Sequence, residues 1–367
     1  MKEASSNNTN TAPVEAQFKE ALKFWIKLGL INFGGPAGQI AMMQHELVDT
    51  KRWISQSQFL RALNFCMILP GPEAQQLAIY IGWRLHGTLG GIAAGAFFVI
   101  PSIFVLLALS WMAAASSDIT AIRGILYGAQ PVVIAIVASA VLRMGKKTLC
   151  HWGLTIYAIA AFVALHFLSI SFPYVIALAA LSGIIFQRWW PNVFQSCESL
   201  HAAPVALDGY SASNAAGYHQ ALSLWRNIKL PALFAVLWGI PVGAIHLWRG
   251  ASDVLAQEAL FFTKAAFITF GGAYAVLTYI TDMAVNHFGW LDAQQMVQGL
   301  GLAESTPGPL IMVTQFVGFL GAWKFHGELN PLLYGALGAL ITTYVTFLPC
   351  FFFIFLGAPY IPTFRSF

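Results

Sequence analysis

Charge is what this sequence has least of. Only 9% of its 367 residues are Asp, Glu, Lys or Arg, against roughly a quarter in a soluble domain. A water-covered globular surface cannot be built from so few. Cysteine is scarce too. Cys66, Cys150, Cys197 and Cys350 lie far apart with no CxxC pair, which excludes a disulfide framework and a zinc finger. No GxxxxGK[ST] is present, which argues against intrinsic ATP hydrolysis, and no HExxH, GxSxG or paired-carboxylate motif supports an enzyme. His45, His86, His151, His166, His246, His287 and His326 follow no metal-ligand spacing, and neither a metal nor a cofactor is called for. The first residues, MKEASSNNTNTAPVEAQ, hold no apolar core of a signal peptide. Residues 1–17 read as a disordered tail.

Apolar length is what the chain does have. It is 58% hydrophobic, with continuous runs near 88–112, 122–142, 151–169, 172–188, 230–248 and 331–357. Such runs are near or above the ~18 residues that cross a bilayer, so the expected class is an all-α, polytopic membrane protein. A polar, small-residue stretch over 189–228 reads as a cytoplasmic linker, dividing a repeat at 18–188 from one at 229–367. The net charge of +4 comes from basic residues near span ends, a matter of orientation rather than nucleic-acid binding. Arg84 and Arg123 fit anchors better than gates. The twelve Trp residues mostly flank the spans, as an aromatic belt predicts.

Two further regions, 18–84 and 255–321, are apolar but interrupted, and they match each other. Phe33-Gly34-Gly35 corresponds to Phe270-Gly271-Gly272 at an offset of 237. Pro70-Gly71-Pro72 corresponds to Pro307-Gly308-Pro309 at the same offset, as do Lys27 and Lys264, Trp53 and Trp290, and Gln58 and Gln295. This is an internal duplication. Five apolar spans separate the copies, and an odd number of crossings inverts the second. With the basic loop Arg143–Lys147 in the cytoplasm, the N-terminus and the linker lie there too. Inverted repeats are a recurring plan for secondary transporters. The loop between FGG and PGP holds Lys51 and Arg52 in copy one and no Lys or Arg over 282–292 in copy two. Both loops obey the positive-inside tendency if each segment dips in and returns, so re-entrant hairpins with tips at GGP and PGP are expected.

Gly34-Gly35-Pro36 and Pro70-Gly71-Pro72 each stop one helix and start another, because proline suits a first turn and glycine permits the change of direction. Broken backbone at membrane depth lines a cavity or is buried in protein. The N–H groups of the new half-helix favour an anion there. A packing kink is the alternative for any single Gly or Pro; two repeated doublets favour the site. Charged residues inside apolar regions cost roughly 2.5–3.5 kcal/mol each on insertion scales. Lys27 and Lys264 either draw an anion or snorkel to the interface. Glu73 and Glu304 flank the two PGP motifs. Each is a candidate for proton coupling or simply compensates a helix dipole.

The segments FGGPAGQIAMMQHELVDTKRWI, LPGPEAQQLAIYIGWRLHG and LAESTPGPLIMVTQFVGFLGAW resemble the chromate transporter family in its long, two-domain form. The resemblance runs from about residue 20 to the end, apart from the linker. It implies an inner-membrane carrier that exports chromate and confers chromate resistance, with sulfate, another tetrahedral dianion, as competing or exchanged anion. Carried over by motif, the substrate-binding residues are Gly34, Gly35, Pro36, Pro70, Gly71 and Pro72 with Gly271, Gly272, Pro307, Gly308 and Pro309, and the coupling carboxylates Glu73 and Glu304. Copy two departs in having Ala273 where copy one has Pro36, and the chain ends at TFRSF without a counterpart of 122–142. The shortened end leaves a non-transporting partner subunit as an alternative, beside an importer of sulfate or another oxyanion. Protons, the lipid bilayer and a second copy in a homodimer are the partners compatible with this reading.

Overall fold

The structure, a computed structural model, describes residues 16–33, 35–115, 151–168, 170, 172–189, 224–270 and 273–360, with scattered positions between 124 and 149. Most of the span expected at 122–142, and the linker over 190–223, lie outside the described residues, as do 1–15 and 361–367.

All regular structure among the described residues is helical. The N-terminal half runs α1 (Phe18–Ile31), α2 (Gly35–Gln44), α3 (Gln56–Ile68) and α4 (Glu73–Ala115), followed by α5 (Trp152–His166) and α6 (Phe172–Trp189). The C-terminal half runs α7 (Leu224–Arg249), α8 (Val254–Ile268), α9 (Ala273–Asp282), α10 (Ala293–Ser305), α11 (Val313–Lys324) and α12 (Pro331–Gly357). α7 begins inside the stretch read as linker, whose last residues, LWRN, join the first turn of the apolar helix. Helices long and apolar enough to cross a membrane occur at Glu73–Ala115, Ile228–Arg249 and Pro331–Tyr360.

α4 is two arms rather than one rod. His86 (φ −139°) and Gly87 (φ 63°, ψ −155°) leave helical geometry, and the chain folds back there. Gly82 and Gly90 then meet so closely that a Cβ on Gly82 would lie 2.4 Å from the Gly90 carbonyl oxygen. α11 and α12 form the matching hairpin, with Gly318 against Gly338: a Cβ on Gly318 would lie 2.7 Å from the Gly338 carbonyl oxygen. Glycine is needed at both crossings because any side chain would hold the backbones apart. In each half the returning arm packs on the first helix, α1 on α4 and α8 on α12, and α12 also packs on α4 between the halves.

Local details recur at the offset of 237. Ser55 caps α3 and Asp292 caps α10, each in a reciprocal box with a glutamine, Gln58 or Gln295. Arg52 (φ 53°) and Gly289 (φ 62°) take the same left-handed turn. Phe24 meets Trp53 edge-on at 5.9 Å, and Phe261 meets Trp290 at 5.7 Å. The helices α1, α2 and α3, of 14, 10 and 13 residues, are only about 15–21 Å long at 1.5 Å per residue. None alone crosses a hydrocarbon core of ~30 Å.

Candidate functional site

The four helix breaks are made by the glycines and prolines themselves. α1 ends at Ile31 and α2 opens at Gly35, whose φ of 69° suits only a residue without a side chain. Pro36 then fills the first turn, where its missing N–H has no intrahelical role. α3 ends at Ile68 and α4 starts at Glu73, with Gly71 at φ 124° between them. The break after α10 repeats this, with Gly308 at φ 125°. Gly34, Gly271 and Gly272 lie outside the described residues.

The structure brings these breaks together in two pairs, each joining one half to the other. The Gly71 N–H donates to the Thr269 carbonyl at 2.7 Å, and the Gly308 N–H donates to the Asn32 carbonyl at 3.4 Å. Asn32 and Thr269 are themselves equivalent, each just before the Phe of its FGG. The same exchange holds for packing. A Cβ on Gly308 would lie 2.4 Å from Ser102 Oγ, and one on Gly71 would lie 3.0 Å from Cys350 Sγ. Ser102 and Cys350 follow Pro101 and Pro349, the prolines inside α4 and α12. Each PGP glycine therefore rests on the long helix of the opposite half.

Buried polar side chains gather at these contacts. Gln39, fully buried on α2, donates from Nε2 to the Asn32 carbonyl at 2.9 Å and to the Gly308 carbonyl at 2.7 Å. Gln76 Nε2 donates to the Pro70 carbonyl at 2.7 Å. The opposite ends of these groups, Gln39 Oε1, Gln76 Oε1 and Asn32 Oδ1, are buried with no partner among the described residues, and so are the hydroxyls of Ser102 and Thr314. Buried polar atoms are rarely left unpaired. A hydroxyl in this state can turn its proton toward a ligand or water.

Glu304 lies beside the start of α2, a helix of the other half. The Tyr274 hydroxyl donates to its Oε1 at 2.8 Å, and both groups face Gly35, the first residue of α2: a Cβ there would lie 3.3 Å from the Tyr274 hydroxyl and 4.0 Å from Glu304 Oε2. The carboxylate thus sits where the helix dipole favours negative charge. Glu73 opens α4 directly after the first PGP and is partly buried. Glu73 and Glu304 have no acidic counterparts, since the equivalent positions hold Leu310 and Met67. Lys27 and Lys264 are exposed on α1 and α8, and Lys27 Nζ lies 3.4 Å from Glu46. The structure gives Lys27 a carboxylate partner of its own.

Sequence reasoning missed Asn32, Gln39, Ser102 and Tyr274. For Asn32 a signal was available: a polar residue precedes Phe in both INFGG and ITFGG. The others have the unlike counterparts Val276, Cys350 and Ala37, so a search for matches passes over them. A cavity of 630 Å³ between α4, α7 and α12 is lined by Val99, Ile103, Pro241, Trp248 and Tyr344. Such a wall suits a hydrocarbon chain rather than a dianion. Among the described residues no three His, Cys, Asp or Glu side chains are grouped to hold a metal.

Long apolar helices joined to short, broken ones, with polar atoms collected at the breaks, define a multi-pass membrane transport protein rather than an enzyme. The chain belongs to the chromate transporter family, whose profile matches residues 19–184 and 256–366. It is 32% identical over 355 residues to the chromate transport protein of Pseudomonas aeruginosa, covering 95% of this chain and 75% of that one. It is 28% identical over 358 residues to the chromate transport protein of Cupriavidus metallidurans, covering 97% and 77%. A shorter relative, the uncharacterized transporter YwrB of Bacillus subtilis, is 27% identical over 157 residues, which is 42% of this chain and 80% of that one. No solved structure matches the chain.

Proposed function

We propose that the protein is a secondary active carrier that exports chromate across the inner membrane, with sulfate as a competing or exchanged anion. Its one central site is assembled from two inverted halves. The observation that carries this reading is the reciprocal pair of contacts, Gly71 to Thr269 and Gly308 to Asn32. A site open to one side only has no need for two equivalent breaks; a carrier that exposes one site to alternate sides does. Five apolar spans between the copies and the basic loop at Lys51 and Arg52, absent over 282–292, support inversion with the N-terminus in the cytoplasm. The relative about as long as one repeat supports duplication of a shorter ancestor.

In this reading the starts of α2 and α4, the α9 and α11 breaks, and the free hydroxyls of Ser102 and Thr314 form the anion's surroundings. Gly34, Gly35, Pro36, Pro70, Gly71 and Pro72, with Gly271, Gly272, Pro307, Gly308 and Pro309, shape it. Lys27 and Lys264 attract the anion from the rim. Glu304 occupies the α2 tip as an anion would. Protonating it removes a charge that repels the substrate, so proton and anion movement are coupled there, and Glu73 serves the first PGP in the same way.

Chromate flux into everted vesicles tests the function. Energy-dependent accumulation, suppressed by excess sulfate, is expected; protein present in the membrane without accumulation would refute it. In the same vesicles E304Q and E73Q should flatten the pH dependence of flux more than they raise the concentration for half-maximal rate. Unchanged pH profiles in both variants would remove the carboxylates from the coupling role.

A further inference from the structure

We propose that Glu258, far from the PGP motifs in sequence, is a proton-carrying carboxyl of this protein, reached through the cluster of Arg249, Asp253 and Tyr334. The proposal rests on the transporter reading above for its purpose, though not for its geometry.

Glu258 sits on α8 and is fully buried. Neither of its carboxyl oxygens has a hydrogen-bond partner among the described residues. The group is nonetheless accommodated by the backbones around it. A Cβ on Gly321 of α11 would lie 2.5 Å from Oε1, and one on Gly338 of α12 would lie 3.0 Å from Oε2. Trp290 closes the same space, 3.1 Å from the Gly321 position. Two glycines thus clear a notch that the carboxyl fills.

The fold does not require an acid at this point. The equivalent residue of the first half is Ala21, also buried against the core, and α1 packs on α4 without any carboxyl there. An unpaired ionised carboxylate enclosed by apolar walls costs several kcal/mol, so such a group either finds a cation or holds a proton. A metal ion would need several more oxygen or nitrogen ligands, and no group of three candidate side chains stands nearby among the described residues. Among the described residues no side-chain cation and no ligand set meets the carboxyl, which leaves the proton to neutralise it.

A route to water is also present. Asp253 caps α8 five residues before Glu258, about 7 Å along the axis. Tyr334 lies four residues before Gly338 on α12, so both point to the same end of the notch. Arg249 Nε donates to Asp253 Oδ2 at 3.1 Å and contacts the Tyr334 hydroxyl at 3.0 Å, and that hydroxyl donates to Asp253 Oδ1. The Arg249 and Asp253 side chains are 27% and 11% exposed, so the cluster reaches from the outside to within about one and a half helical turns of the buried acid. Other titratable groups on the elements packed against α8 include Lys324, in the last turn of α11 and bonded to the Gly289 carbonyl at 2.8 Å, Tyr279 of α9, which meets α8 at Phe261, Asp282 at the end of α9, and Lys229 and His246 of α7; α8 itself also carries the exposed Lys264.

The position couples naturally to the helix breaks. Gly321 belongs to α11, which follows directly from the Gly308 break, and Gly338 belongs to α12, which carries Cys350 against Gly71. Loss of the proton leaves a charge that the α11–α12 hairpin cannot enclose, and the hairpin must open to let in water or a cation. One proton is taken up from one side and released to the other; no bond to the anion is made.

Two measurements on purified full-length protein decide the matter. In lipid nanodiscs, infrared difference spectra across a pH titration should contain a protonated-carboxyl stretch that disappears in E258Q. In chromate-loaded proteoliposomes, an imposed pH gradient should accelerate flux in the wild type, and that acceleration should be lost in E258Q and delayed in D253N. If E258Q fails to accumulate, E258A, which installs the residue found at position 21, carries the same readouts. Full acceleration in the Glu258 variants overturns the proposal. If the wild type moves no chromate, the proposed chromate carriage fails, and the infrared band alone then decides whether Glu258 exchanges its proton.

Discussion

Gly308→Ala is expected to be the most damaging single methyl that can be added to this protein, and Gly71→Ala the next. Both glycines adopt φ near 125°, outside the left-handed well that a side chain occasionally tolerates. Forcing an L-residue there costs about 1–3 kcal/mol. The steric term separates the two. At Gly308 the new Cβ would lie 2.4 Å from Ser102 Oγ and 2.6 Å from its Cβ, so a helix must move. At Gly71 the nearest atoms are Gln76 Nε2 at 2.8 Å and Cys350 Sγ at 3.0 Å, and the amide end can swing aside at the loss of its bond to Pro70. Gly87 provides the steric control: nothing lies within 4 Å of the added carbon, and its φ of 63° with ψ of −155° is itself a glycine-only conformation, so Gly87→Ala carries a backbone cost of about 1–3 kcal/mol without a clash. Thermal melting in detergent should rank the variants Gly87→Ala, Gly71→Ala, Gly308→Ala from mildest to worst. Adding Ser102→Gly to Gly308→Ala should recover part of the loss, since it removes the clash and leaves the strain. Equal melting of Gly308→Ala and Gly87→Ala would show that the breaks do not pack as described.

The contrast between those glycines marks how far the sequence could be read. The ends of α1 and α3 and the starts of α2 and α4 follow from local chemistry, because glycine and proline act on their own backbone whatever surrounds them. The fold-back at His86–Gly87 falls between the interrupted region 18–84 and the apolar run 88–112, a boundary the sequence shows; how closely the two arms then meet is seen only in the Gly82–Gly90 crossing. Pairing across the halves was not legible at all. Nothing near Gly308 in the chain points to Ser102, over two hundred residues earlier, and a duplicated pattern says that two units exist without saying which surfaces they share. Matched residues point to Lys27 and Lys264, which are exposed, whereas the buried Gln39 and Glu258 and the half-buried Tyr274 have the unlike counterparts Val276, Ala21 and Ala37. Duplication preserves the scaffold in both copies, whereas one asymmetric site needs its chemistry only once.

Gln39 tests that idea with the second large effect. Its counterpart Val276 is equally buried, so a branched apolar side chain packs at this place in the fold and Gln39→Val should accumulate in the membrane. What it loses is the only side-chain donor that bridges Asn32 of one half to Gly308 of the other among the described residues. A buried carbonyl left without its donor costs about 1–3 kcal/mol, and every 1.4 kcal/mol taken from the closed site is about tenfold in binding or rate. Chromate flux in Gln39→Val should therefore fall by about five- to 150-fold while protein levels hold. Gln39→Glu keeps the shape and reverses the chemistry, since an ionised carboxylate can only accept. It faces two carbonyls and adds a negative charge beside the anion, so near neutral pH it should be worse than the valine. Acidification changes its sign of action: a protonated carboxyl donates one hydrogen bond, which restores the bridge to the Gly308 carbonyl and removes the repulsion. Flux through Gln39→Glu should thus rise as pH falls, relative to wild type, while Gln39→Val stays low throughout. If the two variants keep the same ratio at every pH, the bridge is incidental to transport and the halves are held by packing alone.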